Sequence, residues 1–514
     1  MLLIEAKHVS FSYGDKPIYQ DINFRLMEGE HIVLVGKNGA GKSTFLKLLT
    51  GELLPDSGTV TKREALTIGV IEQRPHVGER ETIYSFLQNA FQELFDAERK
   101  MNELAEKMAD PHCPETVMDT YGRLQDFLMA RDFYAIDAKI RELADGLGLS
   151  AIGLDAPARR LSGGQLTKLC LARLLLERQD MLLLDEPTNY LDTNHIDWLS
   201  SYLKTYPHAF LVISHDTSFL NRIAEQVYHL ENRKLVRYVG NYQSFLGQHE
   251  ARVEQQSIAF RQQQREIKKL ETYVQKNKAR SATARLAKSR EKRLEKMERI
   301  DPPVQARKPR FHFKIGREPV RLIFSLKQVC IGYDRPLLPP IDLRVERGEK
   351  VAVVGHNGIG KTTLLRTILG ELPPISGKII IGDHVNPGYF AQISLPPSLT
   401  PLEWMMEQFP NIPVGELRRH LAQCGVLAEH TARPMNALSG GEETKVRIAR
   451  LMMQKSNVLI FDEPTNHLDV DAKAALSAAL EAYPGTILVV SHERRFYESW
   501  ATRIWDVAAW SEKV

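Results

Sequence analysis

Two stretches of this 514-residue chain set glycines, a lysine and a hydroxyl in the same order: Gly36-Lys37-Asn38-Gly39-Ala40-Gly41-Lys42-Ser43 and Gly355-His356-Asn357-Gly358-Ile359-Gly360-Lys361-Thr362. Glycines at this spacing let the backbone curl until successive N–H groups face inward. With the N-terminus of a following helix they can cradle phosphate oxygens. Lys42 and Lys361 would then reach the outer phosphates, and Ser43 and Thr362 would ligate Mg²⁺. A second pattern also occurs twice. Asp185-Glu186 closes the apolar run Met181–Leu184, and Asp462-Glu463 closes Val458–Phe461. The aspartate would hold the metal, directly or through a water; the glutamate would orient or deprotonate the attacking water. The chemistry implied is Mg²⁺-assisted hydrolysis of a polyphosphate.

The elements around these residues are the ones such chemistry needs. His31–Val35 and Lys350–Val354 are short apolar runs that read as buried strands, while Thr44 to Leu49 and Thr363 to Leu369 read as helices. Strand, glycine loop and helix follow in order. One such match would equally suit a glycine turn before a helix. Two copies, each upstream of an Asp-Glu strand, leave little room for that reading.

The duplication runs further. Leu161-Ser162-Gly163-Gly164-Gln165 recurs as Leu438-Ser439-Gly440-Gly441-Glu442, and Leu211-Val212-Ile213-Ser214-His215 as Leu488-Val489-Val490-Ser491-His492. The glycine loops, and the glutamines Gln73 and Gln392, stand 319 residues apart; the Ser-Gly-Gly segments, Asp-Glu pairs and histidines stand 277 apart. The first copy therefore carries 42 extra residues between Gln73 and Leu161. Phe91, Leu94, Phe95, Met101, Leu104 and Met108 share one helical face of that insert. Tyr121, Leu124 and Leu128 share another, with Pro111 and Pro114 between, so an antiparallel helical hairpin is expected. Phe91 to Ser150 holds 13 acidic and 7 basic residues.

Between the copies, Phe260, Ile267, Leu270 and Val274, then Leu286, Leu294 and Met297, repeat at helical spacing. Two helices joined by a short turn near Asn277 to Thr283, the second ended by Asp301-Pro302-Pro303, make a second hairpin. Arg261 to Ile300 carries 14 Lys/Arg against 5 Glu, a net +9 in a chain whose total is +4. A charged helical pair can be a solvated spacer, but this excess lacks the balancing glutamates of a neutral ladder and suits a polyanion.

Composition sets the outer limits. With 43% hydrophobic and 26% charged residues the chain is of ordinary globular type. No run approaches the ~18 apolar residues of a membrane span, and the start, Met1 to Lys7, turns acidic too early for a signal peptide. Cys113, Cys170, Cys330 and Cys424 are scattered, without a C-x-x-C pair, and read as reduced cytosolic thiols. The sequence stops at Val514 soon after its last apolar run, so no C-terminal RNA-binding extension is expected.

The paired loops, the Leu-Ser-Gly-Gly segments, the Asp-Glu-Pro-Thr-Asn strands and the two histidines resemble the ATP-binding cassette superfamily. That resemblance implies an α/β fold of two tandem P-loop NTPase cassettes binding ATP and Mg²⁺ in sandwich sites. The loop of one cassette faces the Ser-Gly-Gly segment of the other, so the cassettes form an intramolecular dimer within a monomer. Gly36, Asn38, Gly39, Gly41, Lys42, Ser43 and Thr44 would pair with Ser439, Gly440, Gly441 and Glu442. Gly355, Asn357, Gly358, Gly360, Lys361, Thr362 and Thr363 would pair with Ser162, Gly163, Gly164 and Gln165. Tyr13 and Tyr333 would stack on adenine; Gln73 and Gln392 would reach Mg²⁺ or the water, beside Ser43, Asp185, Thr362 and Asp462. Glu186 and Glu463, with His215 and His492, would be catalytic, and Asp192 and Asp469 would lie in interface loops. Glu442, where the first copy has Gln165, is a departure.

The insert, the tandem cassettes, the Pro-Thr-Asn-Tyr-Leu-Asp and Pro-Thr-Asn-His-Leu-Asp strings, and the linker from Asn277 to Arg290 resemble the F family of that superfamily. The likeness implies a cytoplasmic ATPase that binds the ribosome at the tRNA exit site. Its linker would touch peptidyl-site tRNA near the peptidyl-transferase centre. Lys276, Lys278, Arg280, Arg285, Lys288 and Arg290 would meet RNA phosphates, including large-subunit rRNA, and the acidic insert would favour a basic ribosomal protein. Expected boundaries are 1–241 for the first cassette with its arm over about 88–150, 242–314 for the linker and 315–514 for the second cassette. Two other readings compete: a ribosomal-protection factor against antibiotics, which the short interhelical turn disfavours, and the ATPase subunit of a membrane transporter, which has no evident use for a +9 arm. DNA-repair cassette ATPases carry long coiled coils or zinc modules, and iron–sulfur recycling factors need clustered cysteines; neither pattern is present.

Overall fold

The computed structural model describes residues 1–71, 77–78, 80–108, 114–189, 191–277, 284–297, 299, 308–356, 358–391 and 398–511. Asn357, Gln73, Gln392, Lys278, Arg280, Cys113 and Pro111 lie outside them. Each cassette is built on a mainly parallel sheet. In the first, the strand order is Ile68–Val70, Met181–Asp185, Ala209–Ile213, His31–Gly36, Gln226–Glu231, Lys234–Val239, with only the last pair antiparallel. In the second it is Pro387–Phe390, Val458–Asp462, Thr486–Val490, Lys350–Val354, Arg503–Asp506, parallel throughout.

These strands read as unbroken apolar runs because both faces are covered. Along His31–Gly36, Ile32 and Leu34 enter one core while Val33 and Val35 enter the other. In the second cassette Val351 and Val353 face one core and Ala352 the other. The parallel order sets the carboxylate strand and the glycine-loop strand on either side of a central neighbour. Their C-terminal ends, and the loops that follow, therefore open on one edge, where ligands of open α/β sheets bind. A three-stranded antiparallel sheet flanks each: Lys16–Met27, Leu2–Tyr13, Ser57–Lys62, and Ile341–Glu346, Leu322–Cys330, Ser376–Ile381.

The insert holds helices Gln92–Lys107 and Glu115–Ala130, which pack together. Leu94, Met101 and Leu128 are buried in the first cassette's core, and Phe91, Phe95, Tyr121 and Leu124 pack against it. The linker begins with the 36-residue helix Tyr242–Asn277, rooted by Tyr242 and Phe245 in the same core. Its partner, Ala284–Lys296, lies against it. Ile267, Leu270 and Val274 are buried as their spacing requires. Leu286 is not: it is 57% exposed in the first turn of the shorter helix. Cys170, Cys330 and Cys424 are buried. No helix among the described residues is long and apolar enough to cross a membrane.

Candidate active sites between the cassettes

The glycine loops are locally compelled. At Gly36 a Cβ would fall 2.6 Å from the Leu230 carbonyl oxygen of the adjoining strand. At Gly41 (φ +105°) it would fall 2.5 Å from Ile18 Cγ2. The contact excludes a side chain at Gly36, and at Gly41 the left-handed backbone adds to the exclusion. Directly after, the helices Lys42–Thr50 and Lys361–Ile368 begin with N-termini open to an anion. Lys42 Nζ donates to the carbonyls of Gly36 (2.9 Å) and Lys37 (3.2 Å). Lys361 Nζ does the same to Gly355 (2.6 Å) and His356 (3.1 Å). Burial lowers both ammonium pKa values, and the facing carboxylates oppose it: Glu186, Asp185 and Asp469 for Lys42, Glu463, Asp462 and Asp192 for Lys361. Each lysine thus feels a carboxylate from the other cassette.

The Ser-Gly-Gly segments open helices Gly163–Leu176 and Gly440–Met453. Ser162 and Ser439 are their N-caps, closed into capping boxes by Gln165 and Glu442. Both residue types serve this box, which accounts for one tolerated difference between the copies. Glu442 also faces His430 (3.2 Å).

The two halves meet at these segments. Asn38 Nδ2 donates to His467 O across the cassettes (2.8 Å). A Cβ on Gly441 would lie 2.2 Å from that same Asn38 nitrogen, so the glycine is where the opposite loop lands. Further contacts cross between Lys16 and Glu429 (2.8 Å), His356 Nδ1 and Asp192 (3.7 Å), and Lys473 Nζ and His215 O (3.5 Å). One cavity of about 2160 Å³ runs through the interface. Of the candidate nucleotide, metal and catalytic residues that the structure describes, all but Gly36 and Gly355 line it, Tyr13 and Tyr333 included. Those two tyrosines stand 51% and 61% exposed, leaving ring faces available for stacking.

Glu186 and Glu463 both sit at positive φ (50° and 49°), with their N–H groups bonded to Ile213 O and Val490 O. The strained turn tips each carboxylate into the cavity. Burial pushes the Glu186 carboxyl up to about 7; Lys42, the His215 N–H and Lys473 pull against it, while Asp185 adds to it. Such a group is half ionised at neutral pH, as a general base should be. His215 approaches Glu186 at 3.5 Å and is held neutral, pushed down to about 3 by burial and by Lys42 and Lys473. The second site is tighter: His492 Nε2 lies 2.9 Å from both Glu463 Oε1 and Lys361 Nζ.

The candidate metal positions differ too. Asp185 is exposed to the cavity. Asp462 is fully buried, and among the described residues neither of its carboxylate oxygens finds a hydrogen-bond partner. Burial raises it to about 6, against Thr362 and Lys361. An unsatisfied buried carboxylate beside a phosphate loop fits a divalent cation.

Sequence reasoning overlooked Lys16, His430 and Lys473. Lys473 follows Asp469 by one helical turn, a signal that was readable; the other two are set by the cassette interface. In the linker, Lys276, Arg285 and Lys288 are exposed. Arg290 instead lies over the Tyr273 ring at 3.6 Å, and Arg293 pairs with Glu266 at 2.7 Å.

A family model described as "ABC transporter" matches residues 19–189 and 338–466, and another so described matches 228–313. An uncharacterized ABC transporter ATP-binding protein, YfmM of Bacillus subtilis (strain 168), is 46% identical over the whole length of both chains. The "ABC transporter F family member 5" of Arabidopsis thaliana is 32% identical, over 98% of this chain and 75% of its own. The "energy-dependent translational throttle protein EttA" of Mycobacterium tuberculosis (strain CDC 1551 / Oshkosh) is also 32% identical, over 97% and 90%. With loops, capped Ser-Gly-Gly helices and carboxylate strands duplicated and facing one another, the chain belongs to the F family of ATP-binding cassette proteins and is an ATPase.

Proposed function

We propose that this ATPase works on the ribosome in the cytoplasm, and that closing its cassettes on two ATP molecules sets the basic linker against RNA. The observation that carries the reading is the seating of Asn38 on the His467 carbonyl beside Gly441, because it joins a phosphate loop of one cassette to the Ser-Gly-Gly segment of the other. ATP held in that gap would be gripped from both sides, and losing its outer phosphate would remove the grip. Backbone N–H groups of both loops, with Lys42 and Lys361, bind the phosphates; Ser439 and Ser162 with their glycines close over them. Glu186 and Glu463 accept the proton of the attacking water, oriented by His215 and His492. Ser43, Asp185 and Gln73 in one site, and Thr362, Asp462 and Gln392 in the other, would hold Mg²⁺, whose charge offsets that of the phosphates.

The target follows from charge and kinship. The linker's net +9 is matched to a phosphate lattice, and a relative at 32% identity is named for throttling translation. We place the linker at the tRNA exit site, against peptidyl-site tRNA and large-subunit rRNA, with Lys276, Lys278, Arg280, Arg285 and Lys288 as contacts and the acidic arm toward a ribosomal protein. Arg290 joins them once it leaves Tyr273. The first linker helix ends at Asn277 and the second starts at Ala284, so few residues lie between them to probe a drug site. This favours a translation factor over antibiotic protection. Cryo-electron microscopy of the Glu186→Gln/Glu463→Gln variant recovered from cells tests it. Linker density beside peptidyl-site tRNA is expected; a particle holding membrane subunits and no ribosome would overturn it.

A further inference from the structure

Where the linker helix leaves the first cassette, two histidines and a glutamate converge away from the nucleotide cavity. His229 and Glu231 lie two apart on the strand Gln226–Glu231 and so share one face of the sheet. His249 comes from the second turn of the helix Tyr242–Asn277 and packs edge-on against His229, ring centroids 4.7 Å apart. One ligand atom from each of the three lies within 4.8 Å of the others; among the described residues no other His, Cys, Asp and Glu trio does so. His229 Nδ1 stands 3.9 Å from Glu231 Oε2. All three are partly buried.

We propose that His229, Glu231 and His249 form a transition-metal site, of the Zn²⁺ class, that fastens the root of the linker helix to the first cassette. A tetrahedral Zn²⁺ with bonds of about 2.0–2.1 Å needs donor atoms roughly 3.3 Å apart, so the three donors would draw together by up to about 1.5 Å on binding. Two imidazoles and a carboxylate leave a fourth position for water. The donor set chooses among cations. Two of the three donors are imidazole nitrogens and only one is a carboxylate, which argues against Mg²⁺ or Ca²⁺ held mainly by charge and for a metal bound through nitrogen lone pairs. Tyr238 OH lies 3.4 Å from His249 Nδ1, a partner that would fix the ring and turn Nε2 to the metal.

The location gives the site a mechanical meaning. The His229 strand pairs with His31–Gly36, where Leu230 is registered against Gly36, the first glycine of the phosphate loop. A metal here would tie the linker's first turns to the strand next to that loop. The site is independent of whether the chain works on ribosomes.

The test uses the full chain, stripped with EDTA and titrated with Co²⁺ followed by absorption, and with Zn²⁺ in competition with a chromophoric chelator. One equivalent of tetrahedral Co²⁺ is expected, with Zn²⁺ raising the thermal midpoint. His229→Gln and His249→Gln should each weaken Zn²⁺ more than tenfold, and Tyr238→Phe about tenfold. Thermal melts in EDTA check that the variants fold. Should they not, Zn²⁺-dependent protection of His229 and His249 of the unaltered chain from diethyl pyrocarbonate, mapped by mass spectrometry, is the decisive readout. Absence of binding tighter than about 100 µM, binding undiminished in both histidine variants, or no protection would overturn the site.

Discussion

Each glutamate after the carboxylate strand stands in a left-handed turn that a non-glycine residue adopts only when its surroundings compel it. If the two are the bases, Glu186→Gln with Glu463→Gln should retain ATP binding and lower turnover by about 10²–10⁴-fold; single-turnover hydrolysis beside equilibrium nucleotide binding measures both. Glu186 permits a sharper check through its pKa. Its carboxyl is raised to about 7, and a base works only when ionised. In a Glu463→Gln background kcat/KM should therefore rise with pH up to about 7 and level off above it. A profile flat between pH 5.5 and about 8 would remove Glu186 from the role. At Gly441, where a Cβ would press into Asn38 of the other cassette (2.2 Å) and into the His467 carbonyl of its own (2.5 Å), Gly441→Ala should depress turnover and also lower the thermal midpoint, which a turnover assay beside a thermal melt measures. These residue types and spacings were readable in the sequence. The inequality of Asp185 and Asp462, and the closer grip of His492 on Glu463, were not, since they follow from packing depth around identical motifs.

Among the elements, the parallel strands and the loop-following helices stand where the apolar runs and glycines put them. The antiparallel sheets were hidden. Leu2–Tyr13 and Leu322–Cys330 are bulged, with His8 (φ 50°) and Gln328 (φ 48°) in left-handed conformation, and register shifts there break the alternation that marks a strand. Leu286 lies in the helix its spacing predicts yet stays exposed, because spacing predicts a shared face and not the presence of something to cover it. The linker's charge, in contrast, is independent of packing. Reversing Lys276, Arg285 and Lys288 to glutamate should weaken ribosome association and flatten its salt dependence by about 0.7–0.9 log units for each phosphate the linker no longer neutralises. Sedimentation across a salt series measures the slope, and an unchanged slope would clear the linker of RNA contact.

For the whole molecule, what the sequence alone withheld is which copy faces which. Asn38 and His467 are 429 positions apart and Lys16 and Glu429 are 413 apart. Composition and periodicity carry no trace of such pairings; only the family resemblance anticipated them. They make the candidate nucleotide sites joint property of both halves, so the linker joins two halves that also meet directly. The most direct test of this coupling is ribosome co-sedimentation of the Glu186→Gln/Glu463→Gln chain with ATP, with ADP and without nucleotide, at low salt. The account predicts stable association with ATP that is lost with ADP. Equal association in all three conditions, or none with ATP, would contradict it.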